Sequence, residues 1–579
     1  MFRLFKYLKK YKFEAIFGPI FKLTEAIFEL IVPIVSAKII DVGVNGNGGV
    51  PYIIKMGIVM VLLGFFGLGF SLCCQYLASK ASQGVGTDLR NDLFKKIQSF
   101  SHKEIDFFGP STLTTRMVSD INQIQTGVAM LIRLAIRVPC LIVGATIMAM
   151  SIDLGLSVIF LIVGPLVSFV LYLIMIRSVP LYKVVQKKLD AVSLIARENL
   201  DGIRVIRAFS RQENENTRFE NASDDLTKTA LKVGRISALL NPATFLIMNS
   251  AVIAVIFFGG MKVNSGTLTQ GEIIAFINYI SQILLALVAL ANLIITLTKA
   301  AACASRVADV LEVESSIKDG GKDLPKDSEN VPVVEFKNVS FAYNENTGEK
   351  VLDDISFTLS KGETLGVIGG TGSGKTTLIS LIPRFYDTTE GEVLINGENV
   401  KNLNLKPLRA FVSVVQQGAS IIKGTVKENI VMGRNDISDE NVEKAAQTAQ
   451  AHEFISKLSE GYETVIERSG SNLSGGQKQR LAIARAVAGN PSVLILDDSA
   501  SALDFATDAA LRRAINKTSE NRAVIIVSQR VNSVRYADKI AVLDDGKLAG
   551  LDSHEKLLDT CEVYREICLS QLSSEEVLK

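Results

Sequence analysis

A glycine-rich segment in the second half of the chain has the residue types needed to bind phosphate groups. An apolar strand candidate, Thr364 to Ile368, precedes it, and an apolar helical run, LISLI, follows it. The segment reads GGTGSGKTT and comprises Gly369, Gly370, Thr371, Gly372, Ser373, Gly374, Lys375, Thr376 and Thr377. Glycines here let backbone N–H groups turn towards phosphate oxygens, with a helix N-terminus behind them. We therefore expect Lys375 to reach the β and γ phosphates of a nucleotide and Thr376 to offer its hydroxyl to Mg²⁺.

Two further segments strengthen this prediction. Val493 to Asp497 reads VLILD, an apolar strand candidate that ends in a carboxylate, which is the position of a Walker B aspartate that binds Mg²⁺. Leu473 to Gln477 reads LSGGQ, downstream of the glycine-rich segment and followed by Lys478, Gln479 and Arg480. The glycine-rich segment alone predicts a nucleotide-binding protein. Together with VLILD and LSGGQ it predicts membership of one particular family of such proteins.

With these motifs the sequence resembles the ABC transporter family, specifically exporters that fuse six membrane helices to one ATPase domain. The resemblance covers essentially the whole chain. It implies that Tyr343 stacks on adenine, that Gln417 links the γ-phosphate and Mg²⁺ to the membrane domain, and that Asp504, in SALD, belongs to the D-loop. It also implies that the signature residues bind the nucleotide held by a second ATPase domain; these residues are Ser474, Gly475, Gly476 and Gln477.

Other segments resemble the parts of this family that join its two domains. Phe108 to Asp120 and Glu198 to Phe209 are similar to the cytoplasmic extensions whose short coupling helices rest on the ATPase domains. Glu467, in TVIER, is similar to the loop that contacts those helices.

Two positions depart from the family pattern at the site of hydrolysis. The family has a glutamate after the Walker B aspartate and a histidine in the switch loop, whereas this chain has Asp498 and Gln529. Aspartate is shorter than glutamate by one C–C bond of ~1.5 Å, and a misplacement of about 1 Å can cost about 10²-fold in rate. Glutamine can hydrogen-bond but cannot carry the positive charge of a histidine. We therefore expect Asp498 and Gln529 to form a weak hydrolytic site.

The intact signature beside this weakened site predicts a heterodimer. In the family, the Walker motifs of one domain face the signature of the other. A homodimer of this chain would then have two weak sites, whereas a partner with Glu and His would form one competent site with this chain's signature. A homodimer remains the alternative.

The elements that position these residues must belong to two different domains, because 579 residues exceed one hydrophobic core. Hydrophobic residues make up 48% and charged residues 21%, which fits a membrane half joined to a soluble half. We predict an all-α six-helix transmembrane domain over residues 1–314, a linker over 315–332 and an α/β P-loop ATPase domain over 333–579. The net charge of the chain is only +2, so its overall electrostatic potential does not favour binding to nucleic acid. The six cysteines lack the spacing of a zinc site, which favours reduced thiols.

Six apolar stretches before Lys299 are long enough to cross a bilayer. They are Ala15 to Ile40, Ile53 to Ala78, Val138 to Met150, Leu156 to Ile176, Leu239 to Phe258 and Ile273 to Leu297. The N-terminus, MFRLFKYLKKYK, has the pattern of a helix that lies on a membrane surface. Two long loops, Ser79 to Ile132 and Arg177 to Ser237, also carry basic residues. By the positive-inside rule we expect the N-terminus, both loops and the ATPase domain to lie in the cytoplasm. We expect a multi-pass protein of a bacterial plasma membrane.

Charged residues interrupt two of these stretches. Lys22, Glu25 and Glu29 recur at helical spacing and share one face, which should contact protein or water. Pairing with each other and direct contact with substrate both fit this face. Arg133 and Arg137 leave the start of the third span uncertain.

The function predicted is ATP-driven export, with ATP and Mg²⁺ as cofactors. The resemblance implies hydrophobic or amphipathic small molecules as substrates. An ATP-gated channel or regulator on the same fold is the alternative, and it differs from an exporter in that it cannot build a gradient.

Overall fold

The structure, a computed structural model, describes residues 5–46, 48–326, 328, 331–344, 348–434, 436–499, 501–517 and 521–572. It divides into two compact units, Met1–Gln98 with Pro110–Val313 and Ser99–Gly109 with Glu314–Lys579. Residues 1–4 of the predicted surface helix lie outside the described residues. The predicted domain limits at residues 314 and 332 stay predictions.

The first unit is helical. Its helices are α1 (Phe5–Leu8), α2 (Lys12–Lys38), α3 (Gly49–Gln98), α5 (Pro110–Thr115), α6 (Ile121–Leu134), α7 (Arg137–Ile152), α8 (Leu154–Asp201), α9 (Ile203–Ala208), α10 (Gln212–Ala238), α11 (Leu240–Asn264) and α12 (Gln270–Glu312); α4 (His102–Phe108) belongs to the second unit. Turns of π-helix at Ile39–Val44 and Arg116–Asp120 extend α2 and join α5 to α6. Many apolar side chains of α3, α8 and α11 are exposed, as expected for helices that face lipid or another subunit.

Five helical segments of the described chain are long and apolar enough to cross a membrane. They are Gly49–Gln98, Pro110–Ile152, Leu154–Asp201, Gln212–Asn264 and Gln270–Glu312. They contain the second to the sixth predicted spans. The first predicted span forms α2, a helix of 27 residues that carries charges in its middle. Because those charges have partners inside the unit, α2 is compatible with a membrane domain.

The charges on α2 are paired, but not all with each other. Lys22 Nζ lies 2.6 Å from Glu25 Oε2 and 3.2 Å from the Ser71 hydroxyl. Glu29 pairs instead with Arg137, at 2.8 Å, where α7 begins. In the uncertain region before the third span, α6 ends at Leu134 and α7 begins at Arg137. The ion pair between Arg137 and Glu29 connects the start of α7 to α2.

The second unit contains two main sheets. In the described chain, one sheet has the strand order β2-β1-β4-β5 and the other has the order β12-β11-β3-β10-β9-β6. The strands are β1 (Val334–Phe341), β2 (Leu352–Leu359), β3 (Thr364–Gly369), β4 (Glu390–Ile395), β5 (Glu398–Asn399), β6 (Val412–Val415), β7 (Gly424–Thr425), β8 (Val465–Ile466), β9 (Val493–Asp497), β10 (Ala523–Val527), β11 (Lys539–Asp544) and β12 (Lys547–Asp552). Strands β7 and β8 form a separate pair.

Helices cover the second sheet and connect its strands. They are α13 (Lys375–Leu381), α14 (Leu405–Phe411), α15 (Val426–Val431), α16 (Asp439–Thr448), α17 (His452–Ser456), α18 (Gly475–Ala488), α19 (Phe505–Lys517), α20 (Val531–Val534), α21 (His554–Thr560) and α22 (Glu562–Gln571). Strands β11, β3, β10, β9 and β6 run parallel. Their side chains are mostly buried on both faces, which explains their continuous apolar sequence. Loops that leave the carboxyl ends of these strands therefore meet at one edge, where ligands of open α/β sheets bind.

The segment Ser99–Gly109 packs within the ATPase unit, although it lies between α3 and α5 in the chain. Tyr386 donates a hydrogen bond of 2.6 Å to Asp106, and the His102 ring lies 4.5 Å from that of Phe385. The buried Glu104 accepts hydrogen bonds from Ser101 and from the backbone N–H of Ser316. The short helix of this region, α4, thus begins upstream of the predicted extension at Phe108 to Asp120 and ends at its first residue.

Candidate functional site

The glycine-rich segment connects β3 to α13 and forms the floor of a cavity. Gly374, at φ 92°, precedes the first residue of α13, and a Cβ there would lie 2.7 Å from Leu352 Cδ2. Only glycine fits this turn without strain. Lys375 is buried, and its Nζ donates to the carbonyls of Gly369 and Gly370 at 2.8 and 2.5 Å. Burial lowers the pKa of Lys375, and the carboxylates of Asp497 and Asp498 oppose this shift.

Asp497 is brought to the helix start by the parallel register of the sheet. It ends β9 beside Val527 of β10, and its Oδ2 accepts a hydrogen bond of 3.1 Å from the Thr376 hydroxyl. The side chain is 3% exposed, and burial raises the pKa of its carboxyl, with the Thr376 hydroxyl opposing the shift. A buried carboxylate and a hydroxyl in contact are hard oxygen donors of the kind that Mg²⁺ binds.

Asp498 and Gln529 line the same cavity as these groups. Asp498 has φ 43° and donates its backbone N–H to the Val527 carbonyl at 2.9 Å, which fixes its backbone to the end of β10. Its carboxylate accepts a contact of 3.5 Å from the Gln417 amide. Gln529 follows β10 by two residues, and its carbonyl accepts a hydrogen bond of 2.7 Å from Gln571 of α22.

The cavity at the sheet edge has a volume of ≈ 210 Å³. Its walls are formed by Val351, Thr371, Gly372, Gly374, Lys375, Thr376, Thr377, Gln417, Asp497, Asp498, Val527, Ser528 and Gln529. The structure therefore brings together most of the predicted Walker, glutamine-loop and switch residues, which lie up to 158 positions apart in the chain. Lys375 supplies the positive charge, and the two aspartates supply the negative charge.

Tyr343 lies two residues beyond β1, outside the lining of this cavity. Its ring is 49% exposed and packs edge-on against Tyr386 and Phe341 at 5.3 and 4.9 Å. Its hydroxyl lies 3.0 Å from that of Thr377 in the glycine-rich segment. An exposed aromatic face fixed next to the glycine-rich segment is suited to stacking on a base.

The signature residues also lie outside the cavity. Ser474 caps α18, accepting from Gln477 N–H at 3.3 Å while its own N–H donates to Gln477 Oε1 at 2.8 Å. Asp504 caps α19 in a similar way, accepting from the backbone N–H and hydroxyl of Thr507 at 2.9 and 2.8 Å. Ser474, Gly475, Gly476, Gln477 and Asp504 are absent from the cavity lining in the described residues. A helix N-terminus that presents two glycines offers backbone N–H groups of the kind that bind anions.

Comparison with known proteins identifies the family. Residues 15–287 match the family described as ABC transporter transmembrane region, and residues 352–501 match the one described as ABC transporter. An uncharacterized ABC transporter ATP-binding protein of Mycobacterium tuberculosis is 36% identical over 564 residues, which cover 96% of this chain and 95% of the relative. The chain belongs to the ABC transporter family.

Two more similarities bear on the direction of transport by this ABC transporter. An ATP-dependent lipid A-core flippase of Syntrophus aciditrophicus is 31% identical over 549 residues, covering 94% of this chain and 90% of the flippase. The solved structure of a bacterial Atm1-family ABC exporter with ATP bound is similar with a TM-score of 0.79 and 25% identity, covering 98% of this chain and 99% of that chain. The predicted fold class, a helical transmembrane domain followed by an α/β ATPase domain, is confirmed. The chain is a multi-pass membrane protein and a subunit of an ATP-driven ABC exporter.

Some residues around the site were not predicted. Val351 and Ser528 line the cavity, and Gln571 holds the backbone of the switch loop. Ser528 could have been found as the residue before the switch position. Gln571 carries no sequence signal, because its role depends on the packing of α22 beside α20.

Proposed function

We propose that this chain is the subunit of a heterodimeric ABC exporter whose own Walker site binds ATP but hydrolyses it slowly. The observation that carries the proposal is the pair Asp498 and Gln529, which line the phosphate cavity where the family has glutamate and histidine. Aspartate places its carboxylate about 1.5 Å further from a water on the phosphate side. Gln529 offers an amide in place of a cationic ring.

The residues of the cavity fit ATP and Mg²⁺. Lys375 and the N–H groups of the glycine-rich segment would hold the phosphates, while Tyr343 would stack on adenine. Thr376, Asp497 and Gln417 would hold Mg²⁺, which neutralises phosphate charge when bound. The contact of 3.1 Å between Thr376 and Asp497 supports a shared ion at this point.

The signature is the functional contribution of this chain to its partner. Ser474 to Gln477 form a complete helix cap that is partly exposed and separate from the chain's own cavity. We propose that it completes the site formed by the Walker motifs of a partner that carries Glu and His. Hydrolysis there would reopen the closed pair of ATPase domains, while ATP at Asp498 holds them together through several cycles.

We propose hydrophobic or amphipathic small molecules as substrates. The relative named as a lipid A-core flippase supports an amphipathic substrate, because its printed name describes a lipid. The exposed apolar side chains of α3 and α8 support entry from the bilayer, because such a surface is stable in contact with acyl chains.

The proposal is tested by measuring ATP hydrolysis by the purified chain alone and with a second half-transporter encoded beside it. We expect slow turnover from the chain alone and a rate at least tenfold higher from the pair. Equal rates per ATPase domain would refute the heterodimer.

A further inference from the structure

The last residue of α22, Gln571, holds the switch loop at two points. Its side-chain N–H donates to the carbonyl of Gln529 at 2.7 Å, and its side-chain oxygen accepts the backbone N–H of Val531 at 2.9 Å. Val531 is fully buried, so its N–H cannot bond to water and needs an acceptor from the protein. One side chain therefore satisfies two backbone groups and fixes the chain between them.

The residues on either side of Gln529 have partners of their own. The N–H of Ser528 donates to the carbonyl of Val367 at 3.1 Å, and the hydroxyl of Ser528 accepts the N–H of Arg530 at 3.0 Å. The carbonyl of Arg530 accepts the N–H of Ser533 at 3.0 Å. Gln529 itself is held through its carbonyl, by Gln571.

Helix α22 is a rigid support for Gln571. Tyr564 and Cys568 of this helix are fully buried in a core that includes Ile368 of β3. The Tyr564 hydroxyl lies 2.7 Å from Nδ1 of His554 in α21, which connects the two C-terminal helices. Ile368 directly precedes the glycine-rich segment. The core below α22 therefore fixes Gln571 to the same sheet that carries this segment.

The strand order places Gln529 between the two halves of the phosphate cavity. Strand β10 lies between β3 and β9, and Val527 at its end pairs with Val367 of β3 and with Asp497 of β9. The glycine-rich segment follows β3, and β9 ends at the carboxylate proposed to hold Mg²⁺. Gln529 lines the cavity together with both. Its amide can donate to a phosphate oxygen there, next to the metal ion.

We propose that Gln571 is a positioning residue of the nucleotide site, which orients Gln529 towards the terminal phosphate and makes binding selective for a nucleoside triphosphate over a diphosphate. This inference rests on the proposed binding of ATP at the chain's own Walker site. Without Gln571 the carbonyl of Gln529 loses its partner, and the peptide and side chain gain freedom that binding must remove. A diphosphate lacks the terminal phosphate and does not depend on this orientation.

The test compares two nucleotides that differ in the terminal phosphate. Binding of AMP-PNP, a triphosphate analogue that resists hydrolysis, and of ADP to the purified full-length chain is measured by calorimetry with Mg²⁺. We expect Gln571→Ala to weaken AMP-PNP about tenfold and to leave ADP unchanged. Gln447→Ala removes an exposed glutamine from α16 and should change neither nucleotide.

A second variant separates positioning from stability. Gln571→Glu keeps an acceptor for the N–H of Val531 but cannot donate to the carbonyl of Gln529. It should lose affinity for AMP-PNP as Gln571→Ala does, with a smaller decrease in melting temperature. Equal weakening of AMP-PNP and ADP by Gln571→Ala, or no change in either, would show that Gln571 only attaches α22 to the unit.

A double-mutant cycle shows whether Gln571 acts through Gln529. Gln529→Ala keeps the backbone carbonyl and removes the side-chain amide, so it should reduce the preference for AMP-PNP over ADP. Adding Gln571→Ala to this variant should then cause no further change in that preference. Fully additive losses would show that Gln571 acts on the nucleotide by another route, and would overturn the proposal.

Failure of the proposed function gives a different result. Because AMP-PNP resists hydrolysis, fast ATP turnover by the chain alone would contradict the weak hydrolytic site and leave the positioning role intact. A wild-type chain that binds AMP-PNP no more tightly than ADP would overturn the positioning role, even where hydrolysis is slow.

Discussion

The side-chain amide of Gln417 lies 3.5 Å from Oδ2 of Asp498. This distance is long for an N–H···O hydrogen bond, whose usual value is about 2.9–3.0 Å. The carboxylate of Asp498 therefore makes only a weak hydrogen bond to Gln417. Its backbone N–H is held by the carbonyl of Val527 at the end of β10. On the function proposed above, the site keeps the groups that bind a nucleotide and lacks the reach to activate water.

ATP binding at this site should depend on Lys375. Lys375→Ala removes the only basic side chain among the residues described as lining the cavity. Loss of a charge-assisted contact to phosphate should weaken ATP binding about tenfold to hundredfold. Binding is measured on the chain alone with a fluorescent ATP analogue. Lys406→Ala, an exposed lysine on α14, is the control, and an equal loss there would contradict the assignment.

Stacking on the base should depend on the ring of Tyr343 and not on its hydroxyl. Tyr343→Ala should weaken ATP binding about tenfold, because stacking of an aromatic ring on a base contributes about 1–3 kcal/mol. Tyr343→Phe loses only the contact with Thr377 and should bind nearly as wild type. Tripolyphosphate, which has no base, should bind equally to both variants. An equal loss in both variants with ATP would refute the stacking role.

The signature should serve the partner's site. Ser474→Ala should abolish most ATP hydrolysis by the pair while leaving ATP affinity of this chain's own site unchanged. Ser438→Ala is the matched control, because Ser438 also caps a helix, α16, through an N–H at 3.3 Å. Both variants lose a cap worth about 1 kcal/mol, so similar activity in the two would refute a catalytic role for the signature.

Stability of the ATPase unit should fall in mild acid. Burial lowers the pKa of His102 and of His554. The pKa of a histidine in the unfolded chain is about 6.5. Below this pH the unfolded chain binds more protons than the folded chain. The contribution of the two histidines to the free energy of unfolding is therefore complete above a pH of about 6.5 and falls as the pH decreases towards their folded pKa values.

The apparent melting temperature of the full chain should therefore decrease between about pH 7.5 and pH 5.5. A His102→Gln/His554→Gln variant should show a smaller decrease, measured at one scan rate because membrane proteins unfold irreversibly. The third histidine provides the control, His452→Gln. An unchanged decrease in the double variant would show that other groups cause it.

The parts of the site that are contiguous in sequence could be predicted from it. The strand, glycine turn and helix around Lys375 are local, and the VLILD strand places Asp497 without reference to other residues. The parallel sheet then brings Gln417 and Gln529 to the same edge, which follows from the rule that carboxyl ends align. Local signals of this kind do not depend on long-range packing.

Long-range contacts could not be predicted. The pairing of Glu29 with Arg137 joins residues 108 positions apart, and the contact of Gln571 with Gln529 depends on how α22 packs. The start of the short helix α4 had a local signal that was missed. Ser101 and Glu104 form a capping box, which fixes the first turn of α4 at His102. Its association with Tyr386 depends on a residue 280 positions away.

The most direct test of the central claim restores the two missing groups. Asp498→Glu with Gln529→His should raise ATP hydrolysis by the chain alone at least tenfold, because the carboxylate gains about 1.5 Å of reach and the switch gains an ionisable ring. ATP affinity should stay unchanged, since Lys375 and Tyr343 are untouched. Hydrolysis that stays at the wild-type rate in the double variant, with ATP bound normally, would contradict the account.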